Sequence, residues 1–236
     1  MKILAVDTAT KSCSVAIVDN ESLLAEVTIV REQTHSKHLM EMIHTVTGLS
    51  GLTVSELDGF AVTRGPGTFT GVRIGISSVK GLAVASGKPV VGVSSLDVLA
   101  MQASFSSYLI CSLLDARRGE VYCARYRFQD GNLKKEIEEQ VFPPEKAVRD
   151  LNEACLFVGN GARLYQETIL NKIGNLAHFA PTFQNTIRAS TVAHLSMNRF
   201  ENADTDDVAT FVPHYIRKSD AEINFKGKRE SCSILV

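Results

Sequence analysis

A duplicated α/β architecture, with halves spanning residues 1–105 and 106–236, is what the sequence predicts, and three patterns predict it. Three β-rich runs open the chain, three more follow from residue 108, and each trio leads into alternating helix-like and strand-like segments. No long linker or low-complexity stretch interrupts the order. Hydrophobic residues fill 44% of the 236 positions and charged residues 22%, which is enough apolar surface to bury a real core.

In the first half, residues 2–7 (KILAVD), 13–19 (CSVAIVD) and 23–30 (LLAEVTIV) are β-rich and separated by polar turns, a three-stranded meander. THSKHLMEMIHTVTGL then sets Leu39, Ile43, Val46 and Leu49 at helical spacing, with Thr34 or Ser36 available as a cap. LDGFAVT (57–63) reads as a fourth strand and TGVRIGISSVKGLAVAS (70–86) as a second helix. KPVVGV (88–93) is a fifth strand, and SSLDVLAMQA (94–103) a short helix opened by a serine cap. The second half repeats the meander in YLICSLLD (108–115), EVYCARYRF (120–128) and NLKKEIEEQVF (132–142), with RRGE and QDGN as hairpin turns. PPEKAVRDLNEA (143–154) begins with prolines, which the first turn of a helix tolerates. CLFVG (155–159) is a strand, and NGARLYQETILNKI (160–173) and STVAHLSMNRF (190–200) are helical.

A formal charge of −1 provides no net field to draw in nucleic acid or an anionic membrane, so a tRNA or DNA role needs a partner or a local patch. The five cysteines (Cys13, Cys111, Cys123, Cys155, Cys232) are scattered and never spaced CxxC, which indicates neither a disulfide framework nor a zinc knuckle and fits a reducing cytoplasm. MKILAVD lacks the apolar centre of a signal peptide, no 18-residue apolar run follows, and Cys232 stands one residue outside a prenylation box. A soluble, cytoplasmic chain without a lipid anchor is expected.

The segment TRGPGTFTGVRIG (63–75) concentrates four glycines, one proline and three threonines at a strand-to-helix junction. It is no P-loop, because Val72 and Arg73 follow Gly71 where Lys and Ser or Thr would be needed, and no GxGxxG dinucleotide turn. What remains is backbone geometry. Gly65, Gly67 and Gly71 permit tight turns and close approach, and Thr68 or Thr70 can cap the next helix, whose start can then receive an anion. A plain strand-to-helix turn is the alternative. Along that helix Gly71, Gly75 and Ser78, and separately Ser77, Gly81 and Ala85, recur at spacings of three and four. With Leu39, Ile43 and Val46 of the preceding helix, Gly71, Gly75, Ser78 and Gly81 are candidates for docking a partner; the alternative is that both helices simply cover their own sheet.

GPGTFTGVRIG followed by KGLAVASGKPVVGVSSLDVLA resembles the GPGSFTGLRIG signature of the TsaB (YeaZ) family. VDTATKSCSVAIVD is similar to that family's first two strands, HSKHLMEMI to its first helix, DARRGEVY to its second-domain hairpin and VPHYIRKSDAE to its C-terminal segment. The departures are small: Thr68 stands for serine and Val72 for leucine. The resemblance implies the ASKHA fold of actin, Hsp70 and sugar kinases, in two βββαβα-type halves. It also implies a part in placing a threonylcarbamoyl group on N6 of adenosine 37 in tRNAs that read codons beginning with A. In that family the chain is a non-catalytic scaffold for TsaD, the catalytic paralogue. TsaE and ATP act with them, threonylcarbamoyl-adenylate comes from a separate synthase, and tRNA is met through the complex. Where TsaD is absent, an exposed apolar helix pair would encourage self-association, so a homodimer and a monomer both stay open.

Three further expectations come from setting this chain beside the family. TsaD paralogues carry GVNHxxGH after the fifth strand, whose histidines bind a metal; here GVSSLDVL puts Ser95 and Leu99 at those places, so no metal site is expected. In ASKHA kinases an Asp and hydroxyl-bearing turn contact metal and phosphate, and Asp7, Thr8, Thr10 and Ser12 keep that chemistry in outline. A hydrogen-bonded turn and a nucleotide contact both remain open for them, with ATP or ADP expected only in the assembled complex. Asp115, Arg117, Arg118 and Glu120 mark a charged hairpin that could face a partner or tRNA. His35, His38 and His44 cluster near the first helix but read as solvated or capping residues, and KGKRE (226–230) as a solvated charge run. A metallopeptidase-like enzyme and a phosphotransferase of the same fold are the alternatives.

Overall fold

The computed structural model describes residues 1–31 and 35–217, so Thr34, the KGKRE run and Cys232 lie outside the described residues. β1 (Lys2–Asp7), β2 (Ser12–Asp19) and β3 (Ser22–Val30) form the opening meander, and β4 (Gly59–Gly65) and β5 (Val90–Ser94) add in parallel on the other side of β1. The resulting order is β3-β2-β1-β4-β5. β6 (Leu109–Arg117), β7 (Glu120–Gln129), β8 (Asn132–Phe142), β9 (Cys155–Val158) and β10 (Ala177–Phe179) form a second sheet in the equivalent order, β8-β7-β6-β9-β10. Duplication is therefore visible in the topology strand for strand. β1 is the inner strand of its sheet, and Ile3 to Val6 are all fully buried, which is why its sequence is a continuous apolar run rather than an alternation.

The helices of the first half are α1 (Leu39–Ser50), α2 (Phe69–Ser86) and α3 (Ser95–Gln102). α3 begins at Ser94, whose hydroxyl accepts the Leu96 and Asp97 N–H groups as the serine cap requires. Ser36 does not cap α1: the helix starts one turn later, after His38, without a side-chain cap. α1 packs on β2 and β3, α2 on β4, and α3 lies against β6 of the second sheet. The alternation of β6 divides the interior. Ile110 and Leu114 join the main core around α3, whereas Leu109, Cys111 and Leu113 turn to a smaller core with Val121, Cys123 and Phe157.

Two helical expectations are corrected. Only α4 (Pro144–Ala147) forms in the segment 143–154. Arg125 on β7 takes the Ala147 carbonyl and both Asp150 carboxylate oxygens, and Arg127 takes Glu153, so tertiary ion pairs hold the chain off a helical path. The segment 160–173 breaks at Tyr165 into α5 (Asn160–Leu164) and α6 (Gln166–Ile173). β10 went unread because three residues are too few to show an alternation.

The last helix among the described residues, α7 (Ala189–Glu201), belongs to the second half by sequence yet packs on β1, β2, β4 and β5 of the first sheet, with Val192 and Ala193 fully buried. α7 and α2 cover opposite faces: Phe200 of α7 lies at Gly59, beside Ile3, while Gly75 of α2 approaches Val62. Glu26 on β3 anchors the returning helix. Its side chain is only 4% exposed and accepts the Ser190 N–H (3.0 Å), the Ser190 hydroxyl (3.1 Å) and the Arg188 guanidinium, while Ser14 Oγ accepts the Ala189 N–H (3.0 Å). Burial raises the Glu26 carboxyl, but these donors outweigh it and hold the group below its ordinary range. The chain then follows the open edge of β5, where Asp206 N–H meets the Val90 carbonyl and Asp206 Oδ2 the Gly92 N–H. Among the described residues no helix is long and apolar enough to cross a membrane.

Glu26→Ala should lower stability by about 2–3 kcal/mol, because it leaves buried donors unmatched while Arg188 can still turn to water. Denaturant unfolding monitored by circular dichroism measures it, and Glu26→Gln should lose less.

Candidate functional site

The glycine-rich junction packs directly against the β1–β2 turn. A Cβ on Gly67 would lie 2.4 Å from the Ala9 carbonyl oxygen, one on Gly71 2.1 Å from the Thr8 oxygen, and one on Gly75 2.3 Å from Thr8 Oγ1. Any larger residue would force the two segments apart. Hydrogen bonds complete the contact: Thr68 N–H to the Ala9 carbonyl (2.7 Å), Thr8 Oγ1 to the Gly71 carbonyl (2.7 Å), and His35 Nε2 with the Thr10 carbonyl (2.7 Å). Gly65, at φ +109°, precedes a cis proline and leaves room for the His214 carbonyl, 2.9 Å from where its Cβ would be. Thr68 is the N-cap of α2 by position, but its hydroxyl accepts no helix N–H, and Thr70 is exposed within the first turn. The capping expectation is corrected for both.

Asp7, Thr8, Thr10 and Ser12 are all buried. Thr8 is spent on Gly71, and Thr10 and Ser12 bond each other (2.8 Å). Asp7 Oδ1 accepts the Thr63 hydroxyl (2.7 Å) and the Ala9 N–H (3.1 Å), whereas Oδ2 is buried with no hydrogen-bond partner among the described residues. Burial pushes the Asp7 carboxyl up to about 7, against the opposing pull of Thr63 and Ala9. In this arrangement the hydroxyls of Thr8, Thr10 and Ser12 hydrogen-bond within the fold.

Ser95 and Leu99 lie on α3, both fully buried, and Leu99 Cδ1 would stand 3.0 Å from a Cβ on Gly159. These two positions supply a hydroxyl and a methyl group to the interior. The three histidines of the α1 region do not converge: His35 clamps Thr10, His38 Nδ1 lies 4.0 Å from Glu41, and His44 is exposed. No group of three His, Cys, Asp or Glu fit to hold a metal occurs among the described residues.

The β6–β7 hairpin is the second-sheet counterpart of the β1–β2 turn, and its construction differs. Arg117, Arg118 and Gly119 take positive φ in succession, Arg117 N–H bonds Asp115 Oδ1 (2.8 Å), and both arginines are exposed. Arg217 closes the hairpin from outside by donating to the Ala116 carbonyl and to Glu120 Oε2, each at 2.9 Å.

The expected docking surface is corrected in part. Leu39, Ile43 and Val46 are almost completely buried, because α1 turns that stripe onto β2 and β3, and Gly71 and Gly75 face the Thr8 turn. Ser78 is half-buried, while Gly81 is exposed with nothing near its missing Cβ. The outward stripe of α2 is therefore Arg73, Ser77, Gly81 and Ala85, flanked by Val84 at 73% exposure; on α1, Met40 and Leu49 are exposed. Sequence reasoning missed an aromatic stack here. The Arg73 guanidinium lies 3.7 Å over the Phe69 ring and its Nε donates to Tyr215 Oη (2.6 Å). These partners are 142 positions apart in the chain, beyond the reach of any local pattern.

The family model described as "TsaD: tRNA N6-adenosine threonylcarbamoyltransferase" matches residues 22–225. The tRNA threonylcarbamoyladenosine biosynthesis protein TsaB of Bacillus subtilis is 30% identical over 230 residues, covering 94% of this chain and 96% of that protein. The Escherichia coli protein of the same name is 36% identical over 167 residues, covering 68% and 72%. Among solved structures, YeaZ from Pseudomonas aeruginosa superposes with a TM-score of 0.79 at 29% identity, over 91% of this chain and 99% of that one. The ethanolamine utilization protein EutJ from Carboxydothermus hydrogenoformans (TM-score 0.51, 12% identity, 82% of this chain and 89% of that one) shares the fold.

Two outcomes follow from the packed turn. Gly71→Ala should cost roughly 2–3 kcal/mol through overpacking against a backbone atom, read as a lower melting temperature, whereas Gly81→Ala should raise stability slightly. Since the folded protein holds the Asp7 proton to about pH 7 and the unfolded chain releases it near 3.8, this group's contribution falls as pH rises between those values. Asp7→Asn should remove that part of the pH dependence in melting curves recorded across the window.

Proposed function

The chain belongs to the TsaB (YeaZ) family, and from that premise we propose that it serves tRNA threonylcarbamoyladenosine biosynthesis as a non-catalytic scaffold for TsaD. The threonylcarbamoyl group goes to N6 of adenosine 37 in tRNAs reading codons that begin with adenine, and the chemistry belongs to the partner. The observation that carries this reading is the pair Ser95 and Leu99: where the resemblance puts the metal-binding histidines of TsaD paralogues, this chain has two buried side chains committed to its core. The inward-tied hydroxyls of the Asp7–Ser12 turn support it too, since a phosphotransferase would need them turned toward phosphate. ATP or ADP enters with TsaE in the assembled complex, in the cytoplasm.

TsaD docks on the outward stripe of α2 and the exposed side of α1. A helical glycine costs about 1 kcal/mol relative to alanine, and for Gly71 and Gly75 the close approach of Thr8 accounts for it. Gly81 has no such neighbour among the described residues, so a partner helix seated on Ser77, Gly81 and Ala85 accounts for it instead. In TsaD's absence the same stripe pairs with a second copy. The charged tip at Arg117 and Arg118 faces tRNA or a further subunit.

Reconstitution with TsaD, TsaE, ATP, threonylcarbamoyl-adenylate and unmodified tRNA, omitting each in turn, tests the reading, with the modified nucleoside quantified by mass spectrometry. Product is expected only when this chain and TsaD are both present; product from either alone would overturn it, and ATP turnover by the isolated chain would favour the phosphotransferase. Gly81→Arg should leave the melting temperature within a few degrees of the parent and weaken TsaD binding at least tenfold, measured by interferometry.

A further inference from the structure

Two side chains, one from each sheet, are left incompletely matched by the chain's own contacts and share one cavity. Arg64 comes from the C-terminal end of β4 and Glu139 from β8, and both line a space of about 510 Å³ between the two halves. That volume is in the range of small-molecule sites.

The other cations of the lining are matched. Lys135 Nζ lies 2.9 Å from Asp97 and 3.4 Å from Glu139 Oε1. Arg199 is held by Asp204 (2.9 Å) and Asp206 (3.2 Å), whereas His214 Nδ1 stands 3.4 Å from Glu139 Oε2 without hydrogen-bonding it. Arg64, half-buried, makes no ion pair or side-chain hydrogen bond among the described residues. Glu139 is its complement: the side chain is 6% exposed, Oε1 accepts from Ser94 Oγ and Lys135, and Oε2 is buried without a hydrogen bond. The two groups do not pair with each other.

The lining selects among ligands. A guanidinium matches a carboxylate through two parallel N–H donors, and a buried carboxylate oxygen needs a donor, best a charged one. A bare anion would satisfy Arg64 but meet Asp97, Glu138 and Glu139, and a simple amine would suit those acids but meet Arg64. Among the described residues no Phe, Tyr or Trp lines the cavity to stack a nucleobase. We propose that this cavity binds a small zwitterion of the amino-acid class, its carboxylate held by Arg64 and its ammonium by Glu139. The bound molecule would tie β4 of the first sheet to β8 of the second and so set the opening between the halves.

The test uses the full chain by itself, without TsaD or tRNA, so its result is independent of the scaffold reading. An equimolar mixture of the twenty amino acids is screened by ligand-observed saturation-transfer NMR, and any hit is titrated calorimetrically beside its N-acetyl derivative, its methyl amide, acetate and inorganic phosphate. At least one amino acid should bind saturably and raise the melting temperature, with affinity reduced tenfold or more by either chemical block and by Arg64→Gln or Glu139→Gln. The blocked ligands are compared on the unaltered protein, so the result stands even where a variant folds poorly. Absence of any saturable amino-acid binding, equal binding of acetate or phosphate, or well-folded variants that bind as the parent does would overturn the proposal.

Discussion

Backbone meeting backbone, at the junction of α2 with the β1–β2 turn, is the contact on which the rest of the first half depends. With the Thr8 carbonyl oxygen only 2.1 Å from where a Gly71 Cβ would stand, α2 can lie directly on the turn, and Thr8, Thr68 and His35 close the seam with hydrogen bonds. The consequences run outward in both directions. Inward, the seam seals Asp7 from water and shifts its proton equilibrium. Outward, it fixes the rotation of α2, which decides that Gly71 and Gly75 face the turn while Ser77, Gly81 and Ala85 face solvent. A helix carrying three glycines is weak by propensity, and tertiary contact, rather than local preference, keeps it in place.

The two sheets share one topology but have been put to different uses. The first turn is buried beneath α2, whereas its counterpart between β6 and β7 is exposed, wound through three successive positive φ values and closed by Arg217. α7 breaks the symmetry further by returning to the first sheet, where Glu26 receives its first turn. Between the halves, α3 fills the space with Leu96, Val98 and Leu99, and this dense packing is why Ser95 and Leu99 stand in core rather than at a cleft. The polar cavity survives beside it, where charged groups of β4, α3, β8 and α7 meet and cannot collapse onto one another without giving up hydration.

Strand-forming segments were legible because period-two patterning and turn residues are local properties. The runs at 2–7 and 132–142 became β1 and β8 with the same limits, and Ser94 capped α3 as its type and position suggested. The glycine loop was legible as a place of close approach. Its object was not, since nothing near residue 71 says that Thr8 lies opposite. Helical spacing identified Leu39, Ile43 and Val46 as one face but could not say whether that face met the protein's own sheet or another molecule; β2 and β3 cover it. The segment 148–153 has helix-compatible residues and was lost to Arg125 and Arg127, two cations on a strand more than twenty positions away.

By itself, then, the sequence determined which segments form strands and helices, that they repeat, and which glycines and hydroxyls stand at the junctions, because each of these follows from the residue and its near neighbours. Only the tertiary structure decided where those groups point. It turned the hydroxyls of Thr8, Thr10 and Ser12 inward and brought Arg64 and Glu139 to one cavity from opposite halves. It also stacked Phe69, Arg73 and Tyr215 across most of the chain's length. The physical reason is common to all three: burial and pairing of polar groups depend on partners remote in sequence, and the desolvation that gives such groups their chemistry exists only once the two sheets and α7 have closed around them.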